Sequence, residues 1–167
     1  MKVSQNWLKS LVEINTTPED LSEKLSIGGF EVESLIDCSS NVKGIVLGKV
    51  LSLVKHDNSD KLSICRVDIG KSNILQIVCG AKNVKPNIHV YVAPVGTYLS
   101  AINLTIKRSE IRGVVSEGMI CSLEELGIEE DSEGIAIINN EIASTHKLGT
   151  PAAHLLGLND YVYDLAI

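Results

Sequence analysis

Aromatic side chains are scarce in this sequence. One Trp, four Tyr and one Phe make up 4% of its 167 residues. Proteins that hold single-stranded nucleic acid by base stacking need exposed aromatic rings. We therefore expect base stacking to contribute little to any nucleic-acid binding by this chain.

Cysteine pairs and long apolar runs are also missing. The four cysteines stand at positions 38, 65, 79 and 121 without a CxxC pair, and no His lies beside them at zinc-finger spacing. We predict free, mostly buried thiols and no metal site. Residues 1–11 mix polar and apolar side chains, unlike a signal peptide or a membrane-spanning helix. We expect a cytoplasmic protein without a membrane partner.

The charge is unevenly distributed. The net charge of −6 argues against nucleic-acid binding at first. However, residues 40–112 carry eleven Lys/Arg against four Asp/Glu, a balance of +7, whereas residues 113–151 carry one Lys against eight acids, a balance of −7. The basic part is suited to face RNA and the acidic part is not.

The hydrophobic period changes along the chain. Helical spacing predicts two short helices near residues 4–12 and 18–27, the second with Thr17 as N-cap, Pro18 at its first position and Gly28-Gly29 in left-handed conformations at its end.

After a half-buried strand at 30–36, a period of two begins at residue 42, and glycines at 44 and 48 mark places where the long strand 44–54 can bend. Further strands are predicted at 62–69, 74–78, 89–93, 104–108, 134–138 and 161–167, with short helices at 122–127 and 150–156. We expect the strand at 30–36 to pair with the strand at 161–167, because each flank leaves an apolar face uncovered. Such closely spaced strands with little helix between them predict a closed sheet.

Two catalytic patterns are nearly present and fail. Gly44–Val50 has three residues between its glycines where a phosphate loop needs four, and Val50 offers no hydroxyl to magnesium. Gly113–Gly118 resembles a nucleophile elbow around Ser116, but its first glycine stands one position too far from the serine. No partner base is identifiable either. We predict no catalytic residue, and a small hydrolase using Ser116 is only the enzyme alternative.

Three segments are specific when taken in order and spacing. They are His56–Leu62 (HDNSDKL), Ile77–Val84 (IVCGAKNV) and Ile111–Ser122 (IRGVVSEGMICS). Together they resemble the OB-fold tRNA-binding domain shared by phenylalanine–tRNA ligase beta subunits, many methionine–tRNA ligases and stand-alone tRNA-binding cofactors. Met1–Ser4 with Trp7-Leu8, followed by Gly28–Glu33, resembles the start of the bacterial-type phenylalanine–tRNA ligase beta subunit.

This resemblance implies a fold and a function. It implies a mainly β protein in which an OB-fold five-stranded barrel (40–151) is inserted into a small α+β flanking domain, made of residues 1–39 and a truncated return segment, 152–167. The family pairs this subunit with a catalytic alpha subunit and the remainder of the beta subunit in an α2β2 enzyme that uses ATP and magnesium to attach phenylalanine to tRNA. We therefore expect a non-catalytic fragment without a cofactor of its own.

The tRNA contacts are expected on the basic part of the barrel. Cationic side chains there would meet phosphates, and neighbouring polar groups would donate hydrogen bonds, so recognition would follow backbone shape rather than base sequence. The predicted RNA-binding residues are Lys49, Ser59, Lys61, Lys82, Asn83, Lys107, Arg108, Arg112 and Ser116. Two alternatives remain: an architectural module with little RNA contact, and a stand-alone tRNA-binding cofactor.

Overall fold

The structure is a computed structural model that describes residues 1–167. It contains two compact units, one formed by residues 1–40 and 157–167 and the other by residues 41–156. In sequence, the second unit is inserted into the first. The functional domain bounds 1–39, 40–151 and 152–167 stay a prediction.

Strands dominate over helices, so the predicted mainly β fold class is confirmed. The helices are α1 (Gln5–Leu11), α2 (Pro18–Ile27), α3 (Asn140–Ser144) and α4 (Ala152–Leu155), with a 3-10 turn at Ser40–Val42. The strands are β1 (Lys2–Ser4), β2 (Val32–Asp37), β3 (Val46–His56), β4 (Ser59–Asp68), β5 (Leu75–Cys79), β6 (His89–Pro94), β7 (Tyr98–Leu99), β8 (Leu104–Thr105), β9 (Ser109–Ile111), β10 (Val114–Ser116), β11 (Gly118–Ile120), β12 (Ile137–Ile138) and β13 (Tyr161–Leu165). None of the helices combines the length and the apolar character needed to span a bilayer.

The first unit is a three-stranded antiparallel sheet in the order β1-β13-β2, accompanied by α1 and α2. The Thr17 hydroxyl accepts the backbone N–H of Asp20 at 3.1 Å, which caps α2 as predicted. At the other end of α2 only Gly29 is left-handed, at φ +99°, since Gly28 keeps a helical φ of −73°. β13 pairs with β2 over Tyr161–Leu165, which confirms the predicted pairing of the segments 30–36 and 161–167.

The second unit contains a nearly closed antiparallel barrel with the strand order β11-β6-β3-β4-β5. The two ends of this order meet where the Glu117 N–H donates to the Gln76 carbonyl at 2.8 Å. The Val78 N–H donates to the Ser116 hydroxyl oxygen at 3.1 Å beside it. Closure satisfies backbone groups that an open sheet would leave at its edge. The predicted OB-fold five-stranded barrel is confirmed.

Gly48 serves close packing in the long strand β3. A Cβ at Gly48 would lie 2.6 Å from Val92 Cγ2 and 3.2 Å from Val67 Cγ1, so the barrel wall leaves no space for a side chain. The register against β4 shifts between Val50 and Ser52, which is a β-bulge.

The barrel core holds three of the four thiols. Cys65, Cys79 and Cys121 are buried and Cys38 is half-buried, and all four are free, as predicted. Burial, with a smaller contribution from Cys79, raises the pKa of Cys65 to about 12. Burial also raises the pKa of Cys121 to about 12, with help from the Glu125 carboxylate. These thiols therefore act as apolar core groups.

The acidic half forms less regular structure than predicted. The capping pair Ser122 and Glu125 forms, but Gly127 at φ +70° ends the segment after a single turn, so the helix predicted at 122–127 is absent. The strands predicted at 104–108 and 134–138 shorten to β8 and β12. The three-residue strands β9, β10 and β11 were not predicted, because so few residues carry no detectable period.

Candidate nucleic-acid interface

Two hairpin turns lie side by side at one end of the barrel. The β3–β4 turn consists of Asp57 and Asn58, and the β9–β10 turn consists of Arg112 and Gly113. Arg112 Nη1 donates to the Asn58 carbonyl at 3.0 Å, and Asn58 Nδ2 lies 3.4 Å from the Arg112 carbonyl. Both left-handed residues of the second turn, Arg112 at φ +49° and Gly113 at φ +86°, fit the geometry of a two-residue hairpin.

Three lysines meet in a groove next to these turns, here called the lysine groove. Lys55, Lys61 and Lys82 line it together with Asp60, Gly80 and Ala81. Lys61 also lines the adjoining surface that contains Arg112 and the β3–β4 turn. The structure therefore brings together three of the predicted RNA-binding residues, Lys61, Lys82 and Arg112.

Lys55 was not predicted, although it immediately precedes the first motif. It stands opposite Ser63 in the β3–β4 ladder. Its Nζ lies 3.8 Å from Asp60 Oδ1, and the two side chains are 76% and 101% exposed. Such an exposed ion pair is weak, so the ammonium group remains available to an anion. Only the folded hairpin shows that Lys55 shares a groove with Lys82.

Three predicted cations lie away from the lysine groove. Lys49 is near the start of β3, opposite Asp68 and His89, about 20 Å along the strand from Lys55 at roughly 3.3 Å per residue. Lys107 and Arg108 are exposed on the segment between β8 and β9. The Arg108 Nε lies 3.8 Å from Glu117 Oε1, a carboxylate that partly offsets its charge.

The predicted polar neighbours have internal partners. Ser116 is 2% exposed, and its hydroxyl accepts from Val78 N–H and donates to the Gly118 carbonyl at 3.2 Å. Asn83 forms two hydrogen bonds with the backbone of Ile135, at 2.9 and 3.0 Å. The Ser59 hydroxyl accepts the Lys61 N–H at 3.3 Å at the start of β4. The burial of Ser116 also leaves its hydroxyl without the access that a nucleophile needs.

The acidic segment approaches the basic residues. Glu133 and Gly134 line a surface together with Lys82 and Asn83. The Asn83 side chain occupies the space above Gly134, since a Cβ there would lie 2.4 Å from Asn83 Oδ1. The Glu133 carboxylate would therefore repel an anion that approaches Lys82.

A family model described as "Putative tRNA binding domain" matches residues 45–147. The chain belongs to this family of tRNA-binding domains. The matched range contains the lysine groove, both hairpin turns and all nine predicted RNA-binding residues. The tRNA-binding domain thus coincides with most of the second unit, residues 41–156.

The relatives confirm the resemblance to phenylalanine–tRNA ligase beta subunits. The chain is 83% identical over 167 residues to "Phenylalanine--tRNA ligase beta subunit" of Prochlorococcus marinus subsp. pastoris, and 73% identical to that of Prochlorococcus marinus strain MIT 9312. It is 54% identical to that of Synechococcus sp. strain CC9605. Each alignment covers 100% of this chain and 20%, 20% and 21% of the relative, respectively, so the chain spans about a fifth of these curated relatives.

A solved structure is also similar to the chain. It is titled "Crystal structure of MetRS related protein from Pyrococcus horikoshii", and it aligns with a TM-score of 0.45 at 19% identity. The alignment covers 64% of this chain and 86% of that one.

Proposed function

We propose that this chain is the tRNA-binding, amino-terminal portion of a phenylalanine–tRNA ligase beta subunit, and that tRNA contacts the lysine groove and Arg112. The observation that carries the proposal is the meeting of Lys55, Lys61 and Lys82 in one groove inside the tRNA-binding domain. The remaining predicted cations, Lys49, Lys107 and Arg108, form an outer set that a large RNA reaches only if it extends beyond the groove.

The groove is suited to phosphates for two reasons. Lysine ammonium groups attract phosphate without base preference, and each phosphate neutralised releases condensed counterions. The lining contains one carboxylate, Asp60, against three lysines, and it contains no aromatic ring. This composition favours recognition of the RNA backbone and shape over stacking or base-edge reading.

Titration of purified chain with tRNA at several salt concentrations tests the proposal. Replacement of Lys55, Lys61 and Lys82 by alanine should weaken binding to all tRNAs alike and reduce the salt slope by about 2, since each lost phosphate contact removes about 0.7 to 0.9. The matched control replaces Lys9, Lys71 and Lys147, three exposed lysines that line neither the lysine groove nor the adjoining Arg112 surface. Equal losses of tRNA affinity in the two triple variants would show only a general charge effect and would contradict the proposal that tRNA contacts the lysine groove.

The complete enzyme supplies the chemistry in this proposal. It is a cytoplasmic α2β2 assembly that attaches phenylalanine to tRNA with ATP and magnesium, and this chain contributes RNA contacts to it. The residues of this chain do not fit a magnesium site, because no three His, Cys, Asp or Glu side chains cluster in it. We assign ATP and magnesium to other parts of the enzyme and derive no step through them here.

A second candidate function, an architectural role, is favoured by the first unit. Its helix α2 has no buried residue, and apolar side chains stay exposed on this unit, among them Trp7 at 57% and Ile27 at 79%. Since the relatives are about five times longer than this chain, the rest of the subunit is the candidate that would cover this surface. Unchanged tRNA affinity in the lysine triple variant, with improved solubility after Trp7→Ser and Ile27→Ser, would favour this role.

A further inference from the structure

A buried histidine connects the two turns that border the lysine groove. His56 ends β3 and is 3% exposed. Its Nδ1 lies 3.0 Å from the backbone nitrogen of Asn58, within its own turn. Its Nε2 lies 3.0 Å from the carbonyl oxygen of Ile111, in the other hairpin. The imidazole ring therefore bridges two hairpins that are more than fifty residues apart in sequence.

These partners determine where the ring carries its proton. A backbone N–H only donates, so Nδ1 must accept from Asn58 and bears no hydrogen. A carbonyl oxygen only accepts, so Nε2 must bear the hydrogen and donate to Ile111. The geometry selects the neutral imidazole protonated at Nε2.

The bridge acts next to the cation of the second turn. Arg112 follows Ile111 and has φ +49°, a conformation that residues other than glycine seldom adopt. Its guanidinium bonds back to the Asn58 carbonyl. The His56 bond holds the residue before this turn, and Asn58, which bonds to both side chains, completes a closed set of contacts.

We propose that His56 is a positioning residue for RNA binding: the neutral ring fixes the Arg112 turn onto the Asp57-Asn58 turn, so that Arg112 and Lys61 face the phosphates in one arrangement. The inference rests on the proposed function, because it explains how the surface that contains Arg112 and Lys61 is held in one conformation. A surface ordered before binding loses less conformational freedom when RNA arrives.

Affinity and salt dependence separate positioning from charge. His56→Ala should weaken tRNA binding by about five- to tenfold, from the loss of two hydrogen bonds, with an unchanged salt slope because the cations are retained. Arg112→Ala should weaken binding and also lower the slope. If His56 acts through Arg112, adding His56→Ala to Arg112→Ala should cost much less than the single change.

Conservative variants provide a test that does not depend on the alanine variant folding. In His56→Gln the longer side chain can extend its amide N–H to the Ile111 carbonyl, whereas the shorter side chain of His56→Asn keeps only the acceptor for the Asn58 N–H. Glutamine should therefore restore most of the affinity and asparagine should not. Nitrogen-15 NMR of the wild-type ring should show a proton on Nε2 and none on Nδ1.

The outcomes are distinct. Wild-type chain that fails to bind tRNA overturns the proposed function and this inference with it. Binding by wild type together with equal affinity for His56→Ala, additive effects of the two alanine changes, or a ring protonated on Nδ1 overturns the inference alone. If His56→Ala does not fold, as judged by cooperative melting, equal affinities of the Gln and Asn variants overturn it.

Discussion

The Arg112 guanidinium reaches the carbonyl oxygen of Asn58 across 3.0 Å, joining the turns of two hairpins 54 residues apart. Arg112 is nevertheless exposed, and Lys61 lines the same surface. The Arg112–Asn58 hydrogen bond therefore stabilises the turn and also fixes the position of the Arg112 charge.

Arg112 should matter more for RNA binding than Arg108, although both were predicted as contacts. Arg112→Ala removes a cation beside the lysine groove, whereas Arg108 already faces the Glu117 carboxylate. We expect a larger affinity loss and a slope reduction of about 1 for Arg112→Ala, and a smaller effect for Arg108→Ala. Salt-dependent anisotropy titrations measure both; equal effects would place Arg108 in the interface as well. Arg112→Lys, which keeps the charge, controls for turn distortion.

Glu133 should oppose RNA binding more than other acids of its segment. It lines a surface with Lys82, so Glu133→Gln should raise tRNA affinity at low salt by about two- to fivefold, with the gain shrinking as salt screens the charge. Glu129→Gln is the matched control, because Glu129 lines none of these surfaces. Replacing Glu129, Glu130 and Asp131 together should give at most a modest gain. Lower affinity for Glu133→Gln would mean that this carboxylate supports the groove instead.

Gly48→Ala should destabilise the barrel. The new Cβ would lie 2.6 Å from Val92 Cγ2, inside a packed wall, and overpacking of this kind costs about 1 to 3 kcal/mol. Gly80→Ala is the control, since its nearest neighbour, Leu62 Cδ2, stands at an ordinary 3.4 Å. Urea unfolding followed by circular dichroism gives both free energies. A Gly48→Ala variant as stable as wild type would show that β3 can move away from β6.

Stability should fall at alkaline pH because of buried thiols. Burial raises the pKa of Cys65 and Cys121 to about 12, whereas an unfolded thiol titrates near about 8.5. Between these values the unfolded chain has released protons that the folded chain still holds, so rising pH favours unfolding. The free energy of unfolding, measured by urea from pH 8 to 10.5, should decline less steeply in Cys65→Ala/Cys121→Ala. The same slope in both proteins would assign the decline to other groups.

The proposed domain bounds are testable by cutting the chain. Residues 41–156 form a compact unit with their own core, so we expect this segment to fold alone with a cooperative transition and to bind tRNA as the whole chain does. Limited proteolysis should cleave first near residues 40 and 157. A non-cooperative melt of the isolated segment would mean that the flanking residues belong to the barrel domain.

The sequence alone determined the fold class, the closed barrel, the pairing of the 30–36 and 161–167 segments and the family resemblance. The fold class, the barrel and the resemblance rest on local patterns: a two-residue period, turn residues at intervals, and three motifs such as His56–Leu62 that keep their order. The pairing was inferred from the apolar face that each flank leaves uncovered. Lys61 and Lys82 could be chosen because both lie within these motifs. The free thiols could be predicted because the four cysteines include no CxxC pair.

Only the tertiary structure decided which cations lie together and which polar residues are internal. Lys55 and Lys82 share a groove because β3, β4 and the segment after β5 converge there, and no local pattern reports such convergence. Ser116 was predicted as a binding residue because it is a polar residue in the third motif, Ile111–Ser122. In the structure it is buried, because the barrel closes there against β5. The role of His56 has the same origin, since its Ile111 partner is brought near by hairpin packing, a long-range contact that sequence periodicity does not encode.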